Sequence, residues 1–165
     1  VVATLNQIYA QQEKYVLVEL EVESLSAGSE REVAAVSVSY ADTLNRTTAS
    51  LRGRARVRFS ESYSEVERNR DRTVMVASVE QIANERSKRA VELRDKGRTR
   101  EAVKLMEQNA AFLEAEGSKY RSQKLKKGAR RSRRAAKRMP SKAGYQIERK
   151  QIRKEQFEAE MQQAW

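Results

Sequence analysis

Leu51-Arg52-Gly53-Arg54-Ala55-Arg56-Val57-Arg58-Phe59 alternates apolar and basic side chains, and from about Asn69 that alternation gives way to a helical period. A period of two puts Ala55, Val57 and Phe59 on one face of a strand and Arg54, Arg56 and Arg58 on the other. Beyond Asn69, Met75, Val79, Ile82, Ala83, Ala90 and Leu93 fit one face of a helix instead. The change of period divides the chain into a β-rich part, residues 1–66, and a helical part, residues 69–165, which makes the fold class α+β.

Toward the N-terminus the two-residue period recurs. Val16, Val18, Leu20 and Val22 alternate with Glu19, Glu21 and Glu23, which predicts a strand over Lys14–Glu23. Ser26-Ala27-Gly28-Ser29 reads as a turn, Glu32–Tyr40 as a second strand, Asp42–Thr48 as a polar loop and Leu51–Phe59 as a third strand. Three strands bury little surface alone. The β-rich part therefore reads as incomplete, lacking strands that lie elsewhere in a parent chain or pairing with a second copy.

Toward the C-terminus, Gly97 is a helix terminator and Thr99 an N-cap, with Glu101 in the first turn of the next helix. Ala102, Leu105, Met106, Ala110, Phe112 and Leu113 form a second apolar stripe, and the short link predicts an antiparallel helical hairpin. Gly117 is expected to interrupt it. A basic helix follows, poor in apolar residues (Leu125, Ala129, Ala135, Ala136 and Met139), and Pro140 ends it. A last helix is expected over Ala143–Gln163, with Ile147, Ile152, Phe157 and Met161 as its apolar line.

The 165 residues are 39% hydrophobic but only 6% aromatic, and 35% are charged, which suits exposed helices better than a large core. No window approaches the ~20 apolar residues of a membrane span. The chain opens on Val1-Val2-Ala3 and reads as processed or as a fragment. It contains neither Cys nor His, which removes thiol chemistry, the commonest general base and the commonest transition-metal ligand. Nucleophilic catalysis is left with Ser–Lys neighbours (Ser118-Lys119, Ser122 with Lys124, Ser141-Lys142), all in exposed-looking stretches. The carboxylate pairs Glu114/Glu116 and Glu158/Glu160 read as solvated helix faces. The six glycines form no phosphate-binding loop. A non-enzymatic chain without cofactor or metal is expected.

The net charge of +11 is local. Lys119, Arg121, Lys124, Lys126, Lys127, Arg130, Arg131, Arg133, Arg134, Lys137 and Arg138 lie in one stretch without an acid, and the other 23 bases balance the 23 acids. Such a run suits an acidic protein surface, nucleic acid or an anionic membrane. The blander reading is a solvated helix whose cations pair with Glu on its neighbours. Aromatic interleaving for single-strand stacking is limited to Tyr120, and Leu125 with Met139 is too little apolar surface for membrane docking.

The stretch Leu5-Asn6-Gln7-Ile8-Tyr9 through Leu20 resembles the segment that follows the von Willebrand factor A domain in a group of bacterial proteins, where the chain enters a β-sandwich. Asn84-Glu85-Arg86 through Phe112-Leu113, with the Gly97 turn and Arg100-Glu101-Ala102, resembles that group's helical hairpin. Arg149-Lys150-Gln151-Ile152-Arg153 is similar to its ending. The resemblance implies a partial antiparallel β-sandwich for the β-rich part, a parent with an A domain before Val1, and a structural, protein-interaction role for this region. A domains bind a divalent cation through Asp-x-Ser-x-Ser, which this chain lacks: its Asp are at 42, 71 and 95 only. The group's third helix has mixed charge, whereas here it is almost purely basic.

Overall fold

The structure, a computed structural model, describes residues 1–5, 7–8 and 14–161, with side chains of the last helix described through Glu158. It forms two compact units, one of residues Val18–Arg70 and one of Val1–Leu17 with Asp71–Trp165.

The first unit is built on an antiparallel pair, β1 (Glu30–Asp42) and β2 (Thr47–Arg58). The intervening loop is closed by Asp42, whose carboxylate accepts from the N–H groups of Leu44 and Asn45 at 3.0 and 3.1 Å. A bulge between Glu32 and Ala34 shifts the register once. Cross-strand partners share a face, so Val36↔Gly53, Val38↔Leu51 and Tyr40↔Ala49 make one apolar face. Ser37↔Arg52, Ala35↔Arg54 and Glu32↔Arg56 make the opposite, arginine-rich one.

One expectation is corrected here. Residues 14–23 form no strand, so the described residues show an antiparallel sheet of two strands and not a sandwich. Alternation makes a segment able to pair, but a strand exists only where a neighbouring edge accepts its backbone groups. Residues 9–13, at the head of that segment, lie outside the described residues. A short helix, α1 (Tyr63–Arg68), closes the unit. The Ser62 hydroxyl accepts from the Glu65 N–H, and Glu65 reaches back to Ser60 and to Arg58 Nη2 at 2.6 Å. This helix was not expected from the sequence; the Ser-x-x-Glu spacing of Ser62 and Glu65 is the local signal that could have found it.

The second unit contains α2 (Arg72–Asp95), α3 (Thr99–Lys119), α4 (Gln123–Arg138) and α5 (Lys142–Met161). Asp71 caps α2, accepting from Thr73 and Val74 N–H at 2.8 and 3.1 Å. At its end Gly97 takes a left-handed conformation (φ +78°), and Gly97 and Arg98 N–H return to Arg94 and Leu93 carbonyls. Arg98, not Thr99, occupies the N-cap of α3, without a side-chain cap bond, because Thr99 is already helical.

Helices α2 and α3 pack antiparallel as expected, and α3 and α4 do the same. Helices α3 and α5 lie on opposite sides of the α2/α4 pair. One apolar cluster joins Val79, Ala83, Leu113, Tyr120, Leu125 and Ala129, and a second joins Ala90, Val91, Ala102, Met106, Ala135, Ala136, Met139, Tyr145 and Ile152. Ile82, expected in the core, is 46% exposed. Gly117 does not interrupt α3: it is buried within it, where a Cβ would come 3.0 Å from Lys126 Cγ and 3.2 Å from the Lys126 backbone nitrogen. The glycine lets the two helices close up at their turn.

That turn carries a cost. Arg121 and Ser122 N–H groups bond to Ser118 and Gly117 carbonyls, a C-terminal motif that favours Gly, yet Arg121 holds φ +49°. Arg121→Gly is therefore expected to raise the urea midpoint, by ~1 kcal/mol of stability at most.

Helix α5 departs most from expectation. Its buried line is Tyr145, Glu148 and Ile152, whereas Ile147 and Phe157 are 59% and 57% exposed. The side chain of Met161 lies outside the described residues. A buried Glu in the inward line hides the helix's face from any apolar pattern.

Candidate functional site: the basic helix and its acidic neighbours

Serine spacing and small residues shape α4. Ser122 caps it, accepting from the Leu125 N–H at 3.3 Å, and Leu125, Ala129, Ser132, Ala135 and Ala136 turn inward. Every Lys and Arg from Lys124 to Arg138 is thereby pushed to the rim or the outer surface. Self-repulsion along such a helix is unfavourable, and the neighbouring helices answer it with carboxylates.

Lys124 Nζ lies 3.0 Å from Glu80 on α2, Arg133 3.6 Å from Glu114 on α3, and Arg131 3.3 Å from Glu155 on α5. Arg134 and Arg138 converge on Glu148 at 3.6 and 3.1 Å, and the Glu148 side chain is only 4% exposed. Five of the eleven expected anion-binding cations therefore pair inside the molecule. Lys119 stacks on the Tyr120 ring at 5.4 Å. The Arg121 carbonyl accepts from Arg72 Nη2 at 3.1 Å. Lys126 is half-buried over Gly117. Lys127, Arg130 and Lys137 sit on the outermost stripe of α4, exposed and in no ion pair among the described residues.

A second polar knot was missed by sequence reasoning. The Tyr145 hydroxyl donates to Asp95 Oδ1 at 2.6 Å and lies 3.2 Å from the Val91 carbonyl; Arg149 and Arg153 flank the same carboxylate at 3.2 and 3.9 Å. Arg94 covers the Tyr145 ring at 4.9 Å. Residues 50 or more positions apart build this knot, so no local spacing announces it.

Burial, then the Asp95 carboxylate, pushes the Tyr145 hydroxyl up to about 12, and that hydroxyl followed by Arg149 holds the Asp95 carboxyl below its usual range. A group with a raised folded value stabilises fully below its unfolded pKa, about 10 for Tyr, and loses that contribution as pH rises through the folded value. Wild-type stability is expected to fall more steeply between pH 10 and about 12 than that of Tyr145→Phe. Thermal melts of both across that window check it; parallel curves would refute it.

A third group, Asn109, is fully buried between helices. Its Nδ2 donates to the Ala83 carbonyl at 3.0 Å and approaches Ser87 and Ser132 hydroxyls at 3.2 and 3.4 Å. It ties α2, α3 and α4 together at one level.

Of the serines in the Ser–Lys neighbours, Ser122 and Ser141 stand at helix starts, Ser122 accepting from Leu125 N–H at 3.3 Å and Ser141 from Gly144 N–H at 3.0 Å. Glu114 and Glu158 pair with Arg133 and Lys154, and the Glu160 side chain lies outside the described residues. Among the described residues no His, Cys, Asp and Glu group is clustered to hold a metal, and no helix is long and apolar enough to cross a membrane. No protein-family model matches the chain, nor does any curated protein or solved structure.

Proposed function

We propose that the chain is a non-catalytic structural and protein-interaction module, from the C-terminal region of a bacterial protein carrying a von Willebrand factor A domain. The observation that carries the reading is the uncovered apolar face of the β ribbon. Val36, Val38, Tyr40 and Leu51 are 47–62% exposed on that face, although they alternate with polar residues as a buried face would. A two-stranded ribbon is marginal in water by itself, so a protein surface has to cover it. In the parent that surface is the A domain or the rest of a sandwich. The four acids that pair with five cations of α4 support a structural role for the helical unit.

Titration of the purified chain with the A domain of its parent tests the reading. A complex is expected, lost in Val38→Asp and in Leu51→Asp. Binding by those variants at wild-type strength would overturn it.

The outer stripe of α4 favours a second reading, an anion-binding surface for an acidic protein, nucleic acid or a membrane. Reversing Lys127, Arg130 and Lys137 to Glu removes six charges, from +11 to +5, without touching the paired cations. The fold is expected to hold while heparin retention drops. On DNA, each lost phosphate contact should lower the salt slope by roughly 0.9. Unchanged retention and slope would exclude this reading.

A further inference from the structure

The arginine-rich face of the ribbon carries Arg52, Arg54, Arg56 and Arg58 at every second position of β2. Two acids answer the four. Arg54 and Arg56 share Glu32 at 3.6 and 3.9 Å while remaining 70% and 65% exposed, and Arg58 pairs with Glu65. Arg52 has no ion pair among the described residues. Along its outer edge β2 has no neighbouring strand there either, so its outward backbone groups are open to another strand.

The same unit contains a segment with the complementary pattern. Val18-Glu19-Leu20-Glu21-Val22-Glu23 alternates apolar and acidic residues, forms no strand, and exposes Val18 and Leu20 by 60% and 47%. Laid along β2, it would extend the apolar face with Val18, Leu20 and Val22. Its three Glu would then stand on the arginine side at the same ~6.8 Å interval as the arginines.

The chain's own connectivity works against that pairing. The segment leads through Ser26–Ser29 into β1, and simple hairpin closure onto β1 would set Glu23 against Glu32, like charges directly opposite. Glu23 instead lies 3.9 Å from Arg31. The outer edge of β2 is open to the segment in the same molecule only in the parallel sense. The chain runs toward Gly28, whose N–H donates at 2.8 Å to the Phe59 carbonyl just past the end of β2. A segment from another molecule has no such restriction and can run antiparallel, the better ladder.

We propose that two copies of the chain exchange this segment: Val18–Glu23 of one copy adds as an antiparallel strand to β2 of the other. Glu19, Glu21 and Glu23 then face Arg56, Arg54 and Arg52. The exchange is reciprocal, as a two-fold dimer requires. This deepens the interaction-module reading and rests on it. The two fail separately, because a monomeric chain ends the exchange without affecting the A-domain titration, and a failed titration leaves a dimer in place.

Sedimentation velocity on the full 165-residue chain, at low and high salt, reads the outcome. The wild type is expected to dimerise, more weakly as salt rises. Glu19→Arg/Glu21→Arg/Glu23→Arg and Arg52→Glu/Arg54→Glu/Arg56→Glu are each expected to weaken the dimer at least ~tenfold. Mixing the two variants should restore a dimer, because opposite charges then meet only between molecules. A wild type that stays monomeric, variants that dimerise normally, or a mixture that stays monomeric would each overturn the proposal. Should a reversed variant misfold by circular dichroism, Glu19→Gln/Glu21→Gln/Glu23→Gln decides, since an undiminished dimer there refutes it.

Discussion

Met106→Ala is expected to cost ~2–5 kcal/mol in urea unfolding followed by helical circular dichroism. Met106 is 2% exposed, in a cluster whose other members include Ala90, Ala102, Ala135 and Ala136. Small residues bring helix backbones together and leave few long side chains able to swing into a vacated volume. The cavity should therefore persist, and its volume adds to the lost transfer free energy. Leu105, adjacent in sequence, is only partly buried against this cluster, and Leu105→Ala should cost less than Met106→Ala. Ile82→Ala should be close to neutral, because Ile82 is nearly half exposed. The ordering Met106, Leu105, Ile82 is the measurable statement, and a costly Ile82→Ala would mean that another surface covers α2.

The second large effect is an asymmetry. Removing both cations that face Glu148, in Arg134→Ala/Arg138→Ala, strands a carboxylate that is 3% exposed as a residue. Leaving a buried charge unpaired costs ~3 kcal/mol or more. Glu148→Gln should cost less, because the two arginine side chains are about half exposed and regain water. The double variant is expected to loosen α5 from α4 and to raise hydrogen exchange along α5. Equal costs for the two variants would show that Glu148 is not the pin.

The same site explains how α5 was misread. Ile147, Ile152, Phe157 and Met161 were its apolar residues in sequence, but among those with described side chains only Ile152 turns inward, beside Tyr145 and Glu148. A carboxylate occupies an inward position only because two arginines from α4 meet it there, and the sequence contains no marker of that meeting. Asp95 behaves alike: its partners Tyr145 and Arg149 are 50 and 54 residues away.

The basic stretch was legible as a concentration of charge, but its division into paired and outward cations was not. Lys124, Arg131, Arg133, Arg134 and Arg138 find acids on three different helices, while Lys127, Arg130 and Lys137 point away. Helical phase relative to the packed face decides which is which, and that face is set by Leu125, Ala129, Ala135 and Ala136 packing on α2, α3 and α5.

By itself the sequence determined what depends on neighbours within about four residues: the strands β1 and β2, the Gly97 end of α2, the helical hairpin and the halt of α4 before Pro140. Backbone period, capping and steric exclusion act over that range. Only the tertiary structure decided that Val18–Glu23 pairs with no strand among the described residues, that Gly117 joins two helices rather than ending one, and that Glu148 is a buried pin. Each of these depends on which distant surface arrives, and alternation, small size or charge fits more than one such arrival.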